Sequence, residues 1–486
     1  MKKIVIIVLL MVGLISCDLD VNKDPNYPTD VPPGLVFPAV LNGIAATVGD
    51  GMYNYAGFFA QYYDQLPESN QYNEISEYNF TEQSQIIDRS YRTLFAGVLE
   101  DIDVILKKST NPVDRYAATV LRAFAFQLLV DNMDKVPYTE ALQGSVNSMP
   151  VWDDGQAVYE GVLAEMEAAE SELDNSLMEV SDLLLNKNVD QWIGYANAIR
   201  LRMYLRFVDA NIEQESFIAK IKTLVDAEQF FTGDVKFDSY SDEADKRNPW
   251  YSANKVNLAT NHAASYPIVS YMLATDDPRI EYCFEKAANT SNYAGELPGS
   301  KTELTRKNGD YSALKYYPTK PVYFFTQSEL QFLLAEVYLR FYSNDAKAKA
   351  AYEAAIDADF AARGMSGSSS LYNVSGTVAW TSVSDNESKL TLIYMQKWVA
   401  LCYMDHMEAW SEIRRTDCPK LSTISANAIN GNSELYTPGE LILPMRSSFE
   451  TGTIVKRMFF PLTARQLNTN TPETVPATTP VWWDKN

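Results

Sequence analysis

Residues 114–133 read DRYAATVLRAFAFQLLVDNM, and the spacing of their apolar side chains sets the class of fold. Ala117, Val120, Leu121, Phe124, Ala125, Leu128 and Leu129 fall at i, i+3, i+4, i+7, i+8, i+11 and i+12. That spacing draws one apolar face along an amphipathic helix. Residues 327–341, QSELQFLLAEVYLRF, repeat the pattern through Leu330, Leu333, Leu334, Val337, Tyr338 and Phe341. Ser343 and Asn344 then make a turn, and the alanine-rich stretch 345–360 predicts a second helix able to pack closely on the first. Ala335, Tyr338, Tyr352 and Ala355 stand near the small and aromatic positions of a tetratricopeptide helix pair, allowing a one-residue slip. Further helices are predicted over 157–173, over 191–210 and, as one long element, over 389–415. Separated pairs without a strict 34-residue period indicate degenerate repeats.

The bulk composition narrows the function classes. At 486 residues and 46% hydrophobic content, the chain can bury a large core in one big domain or two to three smaller ones. Its formal charge is −22, and removal of a leader bearing Lys2 and Lys3 would make it two units more negative. Such a surface repels nucleic acid phosphates and anionic lipid headgroups, so neither is expected as a partner. Cys17, Cys283, Cys402 and Cys418 form no CxxC, and an odd number remains once Cys17 is set aside for lipid, which argues against a disulfide framework or a zinc site. His262 and His406 are the only histidines, and GxSxG, HExxH and P-loop sequences are absent. No metal or cofactor is expected.

The N-terminus reads MKKIVIIVLLMVGLISC. Lys2 and Lys3 precede an apolar run from Ile4 to Ile15, too short for a membrane span of roughly 20 residues. Leu14, Ile15 and Ser16 before Cys17 resemble a bacterial lipobox. Residues 1–16 are therefore read as a signal peptide and Cys17 as the lipid attachment site. Acyl chains enter a bilayer at about 0.8 kcal/mol per buried methylene, enough for a multiply acylated cysteine to hold the protein. Residues 17–34 form a polar, proline-rich leash. Asp18, Asp20, Asn22 and Asp24 alternate like the start of a calcium loop, but Lys23 stands at the glycine position and Thr29 at the twelfth. The leash is read as a solvated linker, and no later stretch is expected to approach a membrane span.

Between the helices lie long segments rich in Asn, Ser, Tyr, Gly and Pro, from about 231 to 321 and again after Gly364. Long irregular segments in a helical protein are commonly functional. Read together, several blocks resemble the SusD/RagB family of surface lipoproteins, in its SusD-like branch. They are the lipobox, LRAFAFQLLVDNMDKVPYTEAL, AVYEGVLAEMEAAESELD, NPWYSAN, DDPRIEYCF, FTQSELQFLLAEVYLR, QKWVALCYMDHMEAWSEIRRTDCPKL and the terminal VWWDKN. The blocks keep the family order over nearly the whole chain. One departure is Met133-Asp134-Lys135, where the family commonly shows Gly-Asp, and it bears on the turn after the helix. The resemblance implies a mostly α fold over residues 35–486, with four tetratricopeptide-like helix pairs on one side and long loops on the other. It also implies a lipoprotein of the outer membrane, facing the exterior through the acids after Cys17. Such a protein captures glycans, without catalysis, for a SusC-like TonB-dependent transporter. Two rival readings are the same architecture carrying peptides and a glycoside hydrolase built on two carboxylates.

A glycan site needs flat rings to stack on and amides or carboxylates for the hydroxyls. Tyr55, Phe58, Phe59 and Tyr62 repeat at helical spacing and are read as core. Beyond Pro67 the periodicity stops, leaving Tyr72 and Tyr78 among Asn, Ser and Glu as candidates. The second candidate stretch holds Trp250 and Tyr251 after Pro249, with the amides of Asn248, Asn254 and Asn257 nearby. Tyr316 and Tyr317 are weaker candidates. Trp482 and Trp483 are read as anchoring the tail, Arg414 and Arg415 as structural, pairing with acids such as Glu412 or Asp417, and His406 as packed. On this reading Trp250→Ala should weaken ligand binding and leave stability almost unchanged.

Overall fold

The computed structural model describes residues 31–259, 261–300 and 306–485. The expected signal peptide, Cys17 and residues 17–30 of the expected leash lie outside the described residues. Helices of eight residues or more are numbered α1 (Pro33–Ala46), α2 (Met52–Phe59), α3 (Glu100–Lys108), α4 (Pro112–Met133), α5 (Gly155–Ser171), α6 (Val189–Asp209), α7 (Gln214–Asp226), α8 (Tyr266–Ala274), α9 (Gln327–Arg340), α10 (Asp345–Ala362), α11 (Asn386–Leu401) and α12 (His406–Thr416). The chain is mostly helical, as expected.

The stretch 114–133 lies within α4. Asn111 caps it by accepting from the Val113 and Asp114 amides, and Pro112 occupies the first helical position, where no amide donor is needed. Leu121, Phe124 and Leu129 are buried, each stabilising the fold by roughly 1.5–3 kcal/mol. Consecutive long helices pack on one another as α4 with α5, α6 with α7, α9 with α10 and α11 with α12. The α9–α10 turn follows the sequence expectation, with Ser343 at positive φ and Asn344 capping α10 through the Lys347 amide.

Two expectations are corrected. Residues 389–415 do not make one helix. The chain leaves the α-helix at Cys402, Tyr403 adopts φ 67°, and the Asp405 carboxylate accepts from the Glu408 amide to start α12. Continuous apolar periodicity concealed this cap. The second correction concerns Pro33–Phe59, a 27-residue helical stretch that is long and apolar enough, by composition, to cross a membrane. Its Val36, Phe37, Val40, Leu41 and Ile44 are buried in the protein core, which accounts for the hydropathy without a bilayer.

Charge crosses the interior where the pairs meet. Arg202 and Arg206 on α6 are buried. Arg202 lies 2.7 Å from Glu329 on α9 and 3.3 Å from Glu408 on α12. Arg206 lies 2.5 Å from Asp131 on α4 and 2.8 Å from Glu408. Arg415 on α12 reaches Glu336 on α9 and Glu412 at 2.7 Å each. Arg414 donates to the backbone carbonyls of Asp131 and Lys456, so both arginines act structurally, as read from the sequence.

Among the described residues the irregular half holds two small antiparallel sheets. β1 (Tyr63–Gln65) pairs with β3 (His262–Ala264), and β2 (Val235–Phe237) pairs with β4 (Val322–Phe325). In the first sheet Gln65 lies opposite His262, which brings the loop after β1 against the segment before β3. α8, hidden in the stretch read as irregular, follows β3 directly.

Candidate functional site

Three of the six candidate residues meet at one place. The phenol of Tyr72 donates to Asn254 Oδ1 at 2.6 Å, and Asn254 Nδ2 donates to the carbonyl of Trp250 at 3.3 Å. Asn54 of α2 stands beneath them. Its Oδ1 accepts from Trp250 Nε1 at 3.3 Å and lies 2.9 Å from His262 Nε2. An amide oxygen only accepts, so His262 carries its proton on Nε2. The remaining ring nitrogen, Nδ1, is buried without a hydrogen-bond partner among the described residues. Burial, helped by the charge of Lys255, lowers the His262 pKa to about 3, so the ring is neutral.

Local sequence explains the convergence. Asn248 caps the short helix Pro249–Tyr251 by accepting from the Tyr251 amide, and the chain continues through a π-helical turn, Ser252–Asn257, that carries Asn254. A second π-helical turn, Thr47–Gly51, joins α1 to α2 and carries Asp50. The Tyr72 hydroxyl bonds to Asn254 on the first of these turns, and burial, with a smaller contribution from the charge of Asp50, raises its pKa. Its ring packs 5.0 Å from His262 and 5.6 Å from Phe58.

Burial revises the expected roles. Trp250 is 1% exposed and packed against Tyr316 at 4.5 Å and His262 at 5.2 Å, so neither face of its indole is open to a ligand. Asn248 is buried with its amide committed to the Lys320 carbonyl, and Asn254 is buried with both side-chain atoms bonded. Tyr78, at φ 55°, is buried between Phe59 and Phe449 while its hydroxyl accepts from Gln61. These four are core or scaffold. Tyr72 and Tyr251 keep partial exposure. Arg247 lies 6.0 Å from the Tyr251 ring, and with Asn42, Tyr240 and Pro249 it lines an open cleft of about 270 Å³. Of the weaker pair, Tyr316 is buried and Tyr317 exposed. His406 is stacked on Tyr53 at 3.6 Å, and the buried Trp483 donates to Asp131 at 2.9 Å, matching the packing and anchoring roles read for them.

Asp50, Asn54 and His262 were not among the sequence candidates. Asn54 had a legible signal, a single amide inside the aromatic helical run MYNYAGFF. Nothing in the sequence pointed to Asp50. Its carboxyl is mostly buried, and burial raises its pKa to about 6 against the opposing charge of Arg89. Among the described residues no three His, Cys, Asp or Glu side chains converge as a metal site would require.

A family model described as SusD-like, starch-binding associating with outer membrane, matches residues 25–441. No curated protein sequence matches the chain. Solved structures do. A SusD homolog from Bacteroides uniformis is 21% identical with a TM-score of 0.74, covering 93% of this chain and 99% of its own. A chitin-binding SusD homolog from Flavobacterium johnsoniae gives the same identity, score and coverage. A SusD homolog from Bacteroides ovatus is 23% identical with a TM-score of 0.71, covering 94% of this chain and all of its own. At these identities the likeness is one of fold.

Proposed function

The chain belongs to the SusD-like family, and from that membership we propose that it is a glycan-binding lipoprotein of the outer membrane that passes its ligand to a TonB-dependent transporter. The observation that carries the proposal is the family match over residues 25–441, whose description joins starch binding to the outer membrane. Similarity of fold to a chitin-binding protein supports the same class of ligand. Cys17 is the proposed lipid anchor, and Asp18, Asp20 and Asp24 the proposed signal for the outer face. The stacked helix pairs offer a broad, rigid surface suited to a SusC-like partner. The loop side supplies the ligand site, around Tyr72 and the cleft beside Tyr251. A partly exposed ring beside fixed amides suits a sugar, which offers one C–H face and a rim of hydroxyls.

The test is affinity electrophoresis of the full chain in detergent through gels containing a panel of polysaccharides, with product analysis of the same samples. Retardation by a polysaccharide without release of sugar is the expected result. Released oligosaccharide would replace binding by hydrolysis. Mobility unchanged on the whole panel would overturn the glycan reading and favour peptide cargo.

A further inference from the structure

We propose that the cleft beside Tyr251 binds one or two rings of a neutral sugar chain, held through the Tyr240 hydroxyl and the Asn42 amide. The inference rests on the glycan reading above and names its ligand class and two contact residues.

Three parts of the chain build this cleft. α1 contributes Asn42 and Ala46, the end of β2 contributes Phe237, and the loop after it contributes Tyr240, Asp245 and Arg247. α1 packs against β2. The loop closes on itself, with the Ser241 amide donating to the Lys246 carbonyl and the Lys246 amide to the Glu243 carbonyl, both at 2.9 Å. Just downstream, the Asn248 amide donates to the Pro318 carbonyl at 2.7 Å. The lining is therefore fixed in advance, which lowers the cost of ordering it around a ligand. At about 270 Å³ the cleft falls just under the roughly 300–1,000 Å³ of pockets for drug-sized molecules. That is room for a ring or two, and too little for a long chain segment.

The lining combines carbon surface with uncommitted polar groups. Phe237 is buried, and the Tyr240 ring packs edge-on against it with centroids 5.5 Å apart. Ala46 and Pro249 extend that apolar part. Among the described residues, the Tyr240 hydroxyl and the side chains of Asn42 and Asp245 make no hydrogen bond, and solvent reaches all three. The contrast with the neighbouring cluster is sharp. There the Tyr72 hydroxyl and the amides of Asn248 and Asn254 are committed inside the protein. Charge then selects the ligand. Arg247 Nε donates to Asp242 at 2.8 Å and Lys246 Nζ to Glu243 at 2.6 Å, so both cations of the lining are matched. The Asp245 carboxylate remains unmatched, and it repels a sulfate or a uronate. A neutral sugar, with one C–H face and hydroxyls that both donate and accept, is the complement.

The full chain in detergent is run through gels containing amylopectin, glycol chitin or polygalacturonate. Wild type is compared with the double variant Asn42→Ala, Tyr240→Phe and with Ala46→Met. The double variant removes the two uncommitted groups, while Ala46→Met fills part of the cleft from an exposed helical position. Neither change touches an internal hydrogen bond, so thermal melts should match wild type and check the fold. The expected result is wild-type retardation by amylopectin or glycol chitin and none by polygalacturonate, with affinity at least tenfold weaker in each variant. Wild-type affinity in either variant overturns the inference and leaves glycan binding standing. Retardation of wild type by polygalacturonate alone overturns the neutral class of ligand. Wild type unretarded in all three gels counts against the glycan reading itself, and this inference falls with it.

Discussion

Whether a ring is covered separates Trp250 from Tyr72, although both sit in non-periodic, amide-rich sequence. The indole of Trp250 is enclosed by Tyr53, Tyr63, Tyr316 and His262, and its Nε1 is bonded to Asn54. Truncating a buried tryptophan costs about 3–5 kcal/mol, through lost contacts and the cavity left behind. Trp250→Ala is therefore expected to lower the free energy of unfolding from urea titration by that amount, with a lower midpoint, reversing the outcome expected from sequence. A midpoint equal to wild type would place the indole at the surface. The sequence singled out three residues, Tyr72, Trp250 and Asn254, that do meet in the fold. It could not distinguish partly exposed residues from those buried beneath them. Periodicity reports burial only where the backbone repeats, and around Asn248–Asn257 a cap, one helical turn and a π-turn follow one another within ten residues.

Regular elements were far more legible, because a stripe of apolar side chains at 3.6-residue spacing has to be covered. The helices α4, α5, α6, α9 and α10 all fall where their spacing predicts them. The break between α11 and α12 was missed for a definite reason. Asp405-His406-Met407-Glu408 carries a capping aspartate, but its apolar flanks continue the helical pattern without a glycine or proline. The ion network was equally hidden, since Arg202, Arg206, Glu329 and Glu408 look like ordinary helix-surface residues in the sequence. Their burial makes them sensitive to single changes. Arg202→Met would leave Glu329 and Glu408 facing each other in the interior with one cation fewer. Breaking one side of a buried pair costs roughly 3–5 kcal/mol. Lys107→Met, which removes the exposed pair with Asp103, should cost no more than about 0.5 kcal/mol. Urea titrations of the two variants check the contrast, and a near-neutral Arg202→Met would show that the network contributes specificity without stability.

Across the whole molecule, one main hydrophobic cluster runs from Val36 on α1 to Trp483 in the tail, so the helix-pair half and the loop half share a core. The tail closes that core at the arginine network. The Trp483 indole donates to Asp131, while the guanidinium groups of Arg206 and Arg414 lie 4.9 and 4.8 Å from its ring. Trp483 thus packs where α4, α6 and α12 meet, and its neighbour Trp482 takes the Asp134 carboxylate as acceptor for its amide at 2.7 Å. Removing this indole should act on every element at once, because the charges it covers join three of the helix pairs. Trp483→Ala is expected to cost about 3–5 kcal/mol and to lower the melting temperature in a single cooperative transition. Far-ultraviolet circular dichroism follows the helices, and intrinsic fluorescence follows the eight tryptophans, with Trp192, Trp398 and Trp410 on the helix pairs and Trp250 in the loop half. The two probes should give coincident curves in wild type and variant alike. A fluorescence transition left in place while helicity melts early would mean that the halves unfold separately. The loop half would then rest on a core of its own, and the proposed ligand site could be tuned without cost to the helix-pair scaffold.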